Sequence, residues 1–184
     1  MGMSFLQPDG NQNANKDELA RFIGMFRARP MPSVVAKLDI LLQLHRFNDP
    51  RIAPFLLAVT ADPSEPNEVR IDALKRLGDG PQFAPFRRSV VEVILQILRE
   101  GASLDLRVQA TRALAELIDV EGVLTTLGDL VLDPAEAIDV RYAAFSSLEW
   151  GSPNPKCVDL LRQLTADETF GPSAKSLLSQ WNLP

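Results

Sequence analysis

The stretch Arg107–Leu117, RVQATRALAEL, has the composition of a strong α-helix, but alanines occupy the positions where a buried face is expected. Looser versions of it flank this stretch: EVRIDALKRL at 68–77 and DVRYAAFSSL at 139–148. Each has an arginine after an apolar residue, then an alanine and a leucine at helical spacing. Arg70, Arg107 and Arg141 recur at intervals of 37 and 34 residues. Intervals of this size indicate stacked helical units, each unable to bury its apolar face alone.

From Asn15 onward, the chain is a succession of amphipathic helical segments separated by proline- and glycine-rich turns. We predict an all-α superhelix (α-solenoid) of about five antiparallel helical hairpins, forming a single domain over residues 15–184. Small residues such as Ala110 suit the second helix of each hairpin, because helices of successive units pass close together there. We align a fainter first copy at Ala36 and Ile40, and a last copy in which Gly171 replaces the arginine.

Residues 1–14, MGMSFLQPDGNQNA, have no hydrophobic period and are rich in Asn, Gln and Gly. Such a composition favours a flexible N-terminal tail preceding the domain. We therefore expect the first helix to begin at Asn15, which would act as its N-cap with Glu18 three residues later.

Three segments, NEVRIDALKRLGD, LDLRVQATRALAEL and AIDVRYAAFSSLEW, each follow an acidic turn. In this pattern the chain resembles HEAT repeats, specifically the short type found in phycobilisome-lyase-like repeat proteins. The resemblance implies a ladder of ion pairs between neighbouring units. It assigns this role to Arg70, Arg107 and Arg141, with Asp62 and Asp133 as acids and Asp105 or Asp139 as further candidates. The alternative for the arginine column is contact with phosphates, which the nearby acids disfavour.

Charge argues against nucleic acid as a partner. The chain has a net charge of −5, and residues 115–184 contain 4 Lys or Arg against 11 Asp or Glu. A nucleic-acid binder needs a broad basic face, so we expect a protein partner, with a basic surface that complements this acidity. No apolar run approaches the length that spans a bilayer, so we expect no membrane insertion. The single cysteine, which excludes an internal disulfide, is consistent with a cytoplasmic protein.

Signatures of catalysis and of metal binding are missing from the sequence. His45, the single histidine, lies at the predicted end of a helix, where it can bond terminal carbonyls. Cys157 lies in a first helical turn without a histidine partner, and we interpret it as a packing residue. No Cys or His spacing fits a zinc site. We predict no catalytic residue, no metal and no cofactor.

Aligned in register, the exposed positions of the second helices form rows on the expected concave face. One row is Asp72, Gln109, Ala143 and Ser173; another is Lys75, Arg112, Ser146 and Ser176; a third is Asp79, Glu116, Trp150 and Gln180. We predict that Lys75, Arg112, Tyr142, Ser146 and Trp150 form the main protein-binding surface. For Trp150 two interpretations remain: packing at the edge of the last hairpins, or an anchor for a partner.

Two functions from different classes follow. The first is a non-catalytic protein–protein interaction module, a scaffold that acts as an adaptor or as an assembly or accessory subunit of a larger complex. The alternative, which comes from the resemblance alone, is a bilin lyase-like protein that handles a chromophore. The identity of the partner, the oligomeric state and the pathway stay open at this point.

Overall fold

The protein is described by a computed structural model that covers residues 9–78, 81–150 and 153–183, with side chains described from Lys16 and Phe83 onward in the first two ranges. These residues form ten α-helices and no strand, and consecutive helices pair into five hairpins that stack in sequence order. The predicted all-α solenoid is thereby confirmed. The helices are α1 Asp9–Phe26, α2 Val34–Leu44, α3 Ile52–Ala61, α4 Asn67–Leu77, α5 Arg87–Arg99, α6 Leu104–Ala113, α7 Val123–Leu132, α8 Ile138–Glu149, α9 Pro155–Leu164 and α10 Gly171–Gln180, with short 3-10 helices at Pro81–Phe86 and Leu114–Leu117.

Local sequence sets the ends of several helices. Ser33, Ser103 and Asn154 are N-caps whose side-chain oxygens accept hydrogen bonds from backbone N–H groups three residues later. Gly122 precedes α7 with φ of 88°, in the left-handed region that glycine adopts most readily. Capping thus follows the turn chemistry that separates the apolar segments in the sequence.

The first helix begins earlier than predicted. It starts at Asp9, six residues before Asn15, so the expected N-cap lies inside a helix. The buried residues Leu19, Phe22 and Phe26 anchor the C-terminal part of this helix, and extension over polar residues costs only fractions of a kcal/mol per residue. Residues 1–8 of the predicted tail lie outside the described residues.

The second helices of the hairpins, α2, α4, α6 and α8, pack directly against one another. Their contact surfaces are built from small side chains, and Ala110 and Ala144 are completely buried. The Ser147 hydroxyl of α8 donates to the backbone carbonyl of Thr111 in α6 (3.3 Å) and, within its own helix, to that of Ala143 (2.8 Å). A cross-helix bond from a side chain as short as serine requires close helix approach, which explains why alanine recurs.

The first copy of the repeat is shifted by one helical turn from our alignment. Residue Lys37 is the fourth residue of α2, as Arg70, Arg107 and Arg141 are the fourth residues of α4, α6 and α8. The alignment through Ala36 was wrong because a turn of four residues leaves the apolar pattern of an amphipathic helix nearly unchanged. The first unit therefore also has a cation at the conserved position of the repeat.

The last hairpin closes the stack differently. A Cβ added to Gly171 would lie 2.8 Å from the backbone carbonyl oxygen of Thr165, so glycine is required by close backbone contact. Phe170, just before it, is 1% exposed, and Trp181 packs against the edge of the core. The final unit thus replaces the arginine with a tight turn and aromatic packing.

Candidate functional site

Ion pairs join successive units at three points of the described chain. Each pair connects the cation on a second helix with an acid in the turn before the next second helix. The pairs are Lys37–Glu65, Arg107–Glu136 and Arg141–Asp167, all with N···O distances of 2.5 Å. Both partners of each pair are largely shielded from water, so each pair connects two units inside the packed stack.

The arginines of this ladder also bind within their own hairpins. The Nε groups of Arg70 and Arg141 donate to the carbonyl oxygens of Thr60 (2.9 Å) and Val131 (3.0 Å). The two residues are only 5% and 7% exposed. Their guanidinium groups are thus enclosed by the fold, which argues against the phosphate-binding alternative.

The acids of the ladder differ from those the resemblance implied. Asp62 accepts hydrogen bonds from the backbone N–H (2.8 Å) and hydroxyl (2.7 Å) of Ser64, and Asp133 accepts one from the backbone N–H of Ala135 (2.9 Å). These turn bonds lower the pKa of Asp62. An aspartate at the start of such a turn is short enough to bond its own backbone, whereas the glutamate three residues later reaches the neighbouring unit.

Both turns have the sequence Asp-Pro-x-Glu, and this repeated motif is the signal that identifies Glu65 and Glu136 as ladder acids. Asp167 performs both roles: its Oδ1 accepts from the backbone N–H of Phe170 and its Oδ2 from Arg141. The bond from Phe170, supported by Arg141, lowers the pKa of Asp167. Asp105 and Asp139 are exposed and make no ion pair within the described residues.

Arg70 lacks a carboxylate at salt-bridge distance in the part of the chain described. The turn before α6 has Ala102 at the position where the turns before α4 and α8 have a glutamate, two residues before the second helix. The Nη2 of Arg70 is buried without a hydrogen-bond partner. Burial lowers the pKa of Arg70, and the nearby charges of Glu100 and Asp62 partly oppose this effect. Among the described residues, the junction of the second and third units therefore lacks the ion pair that the other junctions have, and it leaves a buried guanidinium nitrogen without a hydrogen-bond partner.

The predicted surface residues of α8 share one face of that helix. Tyr142, Ser146 and Trp150 follow one another at intervals of four residues, and all three are exposed. Tyr142 is 52% exposed and Trp150, the C-cap residue, is 81% exposed. For Trp150 this exposure contradicts packing at the edge of the hairpins and agrees with an accessible anchor.

Tyr142 is held in place although half of it faces solvent. Its ring makes an edge contact with the buried ring of Phe170, with centroids 4.9 Å apart. The Phe145 ring also stacks on the Phe170 ring, with centroids 5.2 Å apart. The guanidinium carbon of Arg141 lies 5.0 Å from the centroid of the Phe170 ring. A preorganised aromatic side chain loses little conformational entropy when a partner covers it.

Lys75 and Arg112 border the same groove, which α4 and α6 line together with α5 and the short 3-10 helix before it. The groove has a volume of about 410 Å³, and its walls include the apolar side chains Leu74, Leu77 and Ala113. Both cations are exposed and neither has an ion-pair or hydrogen-bond partner among the described residues. The structure thus places Lys75 and Arg112 at equivalent positions of adjacent second helices, and Ser146 occupies the same position in α8.

One of the predicted exposed rows is mostly covered. Ala143 is only 3% exposed, and Asp72 and Gln109 are half-buried. This row lies at the side of each second helix that approaches its neighbour, so the close packing of α4, α6 and α8 covers it. Asp79, from the third row, lies outside the described residues.

Sequence reasoning missed the exposed apolar side chains at the start of the second helices. Leu104 and Ile138, the first residues of α6 and α8, are 44% and 46% exposed. Val108 and Tyr142 lie one turn further along the same helix faces. The helical pattern of the sequence does not identify Leu104 and Ile138, because an exposed apolar residue in such a pattern looks the same as a buried one.

The single cysteine is buried, whereas the single histidine is exposed at the end of a helix. Cys157 is completely buried, its Sγ lies 3.8 Å from the carbonyl oxygen of Leu148, and burial raises the pKa of its thiol. His45 is the exposed C-cap residue of α2. No group of three or more His, Cys, Asp or Glu side chains within the described ranges is arranged to hold a metal ion. No helix in those ranges is both long and apolar enough to cross a bilayer.

Comparison of the chain with protein-family profiles, with curated proteins and with solved structures gives no match. The class of the protein therefore follows from its architecture alone. It is an all-helical repeat stack, in which second helices pack closely and buried ion pairs join three of the unit junctions.

Proposed function

We propose that this protein is a non-catalytic protein-binding module of the HEAT-repeat type, an adaptor or an accessory subunit of a larger complex. The partner binds the surface formed by Lys75, Arg112, Tyr142, Ser146 and Trp150, called the second-helix face below. The single observation that carries the proposal is the aligned exposure of Tyr142 and Trp150 on α8, at 52% and 81%.

Exposed aromatic residues on one helix face are characteristic of binding anchors. Tyrosine and tryptophan are enriched among the residues that contribute most to protein–protein binding. Ser146 separates the two rings, so a partner can approach the helix backbone between them. The assignment of a protein partner to a repeat fold is an analogy in itself, and the aromatic pair gives it a specific location.

The net charge of −5 favours a partner with a basic surface. Complementary charge raises the association rate, and salt reduces this effect. We therefore expect the complex to form more slowly as ionic strength increases.

The test is affinity capture from the native cell, followed by measurement of the affinity for the captured partner. Trp150→Ala and Tyr142→Ala should each weaken binding at least about tenfold, since each removes an aromatic contact of about 1.4 kcal/mol or more. The control is Glu92→Lys. Glu92 is an exposed residue of α5, the first helix of the third hairpin, and this change should leave the affinity within about twofold.

If Glu92→Lys weakens binding while both aromatic variants bind as the original protein does, and all three remain folded, the proposal fails. The bilin-handling alternative is tested by adding a bilin to the purified protein and recording its absorption spectrum. We expect no spectral shift, whereas a saturable shift would favour chromophore handling.

A further inference from the structure

The exposed surface of the second helices is divided into three rows that cross the stack. The second residues of α4, α6 and α8 are acidic: Glu68, Asp105 and Asp139. The fifth residues of the same helices are apolar: Ile71 and Val108, which are half-buried, and Tyr142, which is exposed. The ninth residues of α4 and α6 are the cations Lys75 and Arg112. A partner lying across the helices therefore meets acid along one edge, apolar side chains in the middle and positive charge along the other edge.

These charges are available to a partner. The three acids and the two cations are exposed, and none makes a hydrogen bond or an ion pair in the described part of the chain. Some other exposed cations of the chain are paired, such as Arg51 with Asp49 and Arg46 with Glu18. These five unpaired charges lie on the face that also carries the exposed aromatic side chains Tyr142 and Trp150.

Helix energetics explain only part of this pattern. Acids in the first turn and cations in the last turn of a helix stabilise its macrodipole. That effect does not explain why Tyr142 is 52% exposed between them, or why Leu104 and Ile138 leave nearly half of their surface in water beside it. Contiguous exposed apolar residues with a polar rim mark an interaction surface.

The spacing of the rows matches an α-helix. Residues seven positions apart on one helix lie about 10 Å apart along its axis, which is also the diameter of a helix with its side chains. A partner helix seated on the apolar row therefore reaches the acidic row with one flank and the basic row with the other. Packed helices are about 8–10 Å apart, a distance that a partner helix covers in about five to seven residues, so one heptad reaches from one second helix to the next.

We propose that the second-helix face binds an amphipathic α-helix of the partner that lies across α4, α6 and α8. The helix carries apolar residues in a heptad pattern, basic residues on the flank facing Glu68, Asp105 and Asp139, and acidic residues on the flank facing Lys75 and Arg112. This inference rests on the proposed function and adds the chemistry and orientation of the bound segment.

The order of the flanks determines the direction of the bound helix. Turning an amphipathic helix end for end on the same surface exchanges its two flanks. A helix with its basic and acidic flanks exchanged therefore binds in the opposite direction along the stack. A helix with the same charge on both flanks meets repulsion at one row in either direction.

The experiment uses three synthetic helical peptides of about three heptads with leucine at the apolar positions. One has lysine on one flank and glutamate on the other, one has lysine on both flanks, and one has glutamate on both. Affinities for the full chain are measured by fluorescence anisotropy at about 0.15 M ionic strength, where long-range attraction is screened. We expect the mixed-flank peptide to bind at least about tenfold more tightly than either of the others.

Charge-reversal variants locate the effect. In the Lys75→Glu/Arg112→Glu variant, the peptide with lysine on both flanks should become the tightest of the three. The matched control, Arg88→Glu/Arg162→Glu, changes net charge equally on the first helices α5 and α9 and should keep the original order. Circular dichroism confirms that both variants are folded.

The inference is overturned if the mixed-flank peptide binds no more tightly than the single-charge peptides, or if none of the three binds. It is also overturned if both double variants change the order of affinities equally. None of these results affects the Trp150→Ala and Tyr142→Ala measurements on the native partner, so failure of this inference is distinct from failure of the proposed function.

Discussion

Replacing Lys37 with methionine is expected to lower the free energy of unfolding by about 3 kcal/mol. Lys37 is 2% exposed, and its ammonium group lies 2.5 Å from Glu65 and 4.8 Å from the centre of the Phe26 ring. Methionine keeps most of the side-chain volume but leaves the Glu65 carboxylate, only 11% exposed, without its partner. An unpaired buried charge accounts for the size of the loss.

The double variant Lys37→Met/Glu65→Gln should recover at least half of that loss, because no unpaired charge remains. Lys175→Met, an exposed substitution on α10, is the control and should change stability by less than about 0.5 kcal/mol. Chemical denaturation of the four proteins measures these values. Equal, small effects of Lys37→Met and Lys175→Met would show that the Lys37–Glu65 pair does not stabilise the stack.

Replacing Ala110 with leucine is expected to cost on the order of 1–3 kcal/mol of stability. Ala110 is completely buried in α6, which lies between α4 and α8. Three additional carbon atoms at this position would force neighbouring second helices apart or into strained rotamers. The effect should appear as a lower midpoint in thermal and chemical denaturation.

The matched control is Ala58→Leu, the same substitution at an exposed position in the middle of α3. It should change stability by less than about 0.5 kcal/mol, because the added atoms face water and leucine is also a good helix former. If Ala58→Leu were as destabilising as Ala110→Leu, the small residues of the second helices would not mark the contact between units.

The architecture was predictable because two periodic signals agree in this sequence. Apolar residues at helical spacing define each helix, and the recurrence of Arg70, Arg107 and Arg141 defines the unit. The alignment failed at the first unit, where lysine replaces arginine. The sequence pattern therefore does not indicate a role for Lys37, although the ion pair it makes with Glu65 is the most buried of the ladder.

The partners within the ladder were less predictable than its cations. Asp62 and Asp133 are adjacent to the turn in sequence, but whether a carboxylate bonds its own turn or the next unit depends on side-chain length and local geometry. The two Asp-Pro-x-Glu sequences contained the answer. The unmatched Arg70 follows from Ala102 at the corresponding position.

The candidate surface was only partly accessible to sequence reasoning. Periodicity placed Tyr142, Ser146 and Trp150 on one helix face, and it placed Lys75 and Arg112 at equivalent positions. Periodicity could not determine whether Trp150 is exposed or packs at the edge of the hairpins, since the exposure of this residue depends on the neighbouring helices. The same limitation led to the prediction that the buried Ala143 is exposed.

The central claim is that a protein partner covers the second-helix face. Hydrogen–deuterium exchange of the chain, alone and bound to its captured partner, tests this claim most directly, because binding slows exchange where it stabilises helices. The account predicts added protection in α4, α6 and α8, strongest near Tyr142. The claim would be contradicted if protection were confined to α5, α7 and α9, the first helices of the last three hairpins, while exchange in the second helices stayed unchanged.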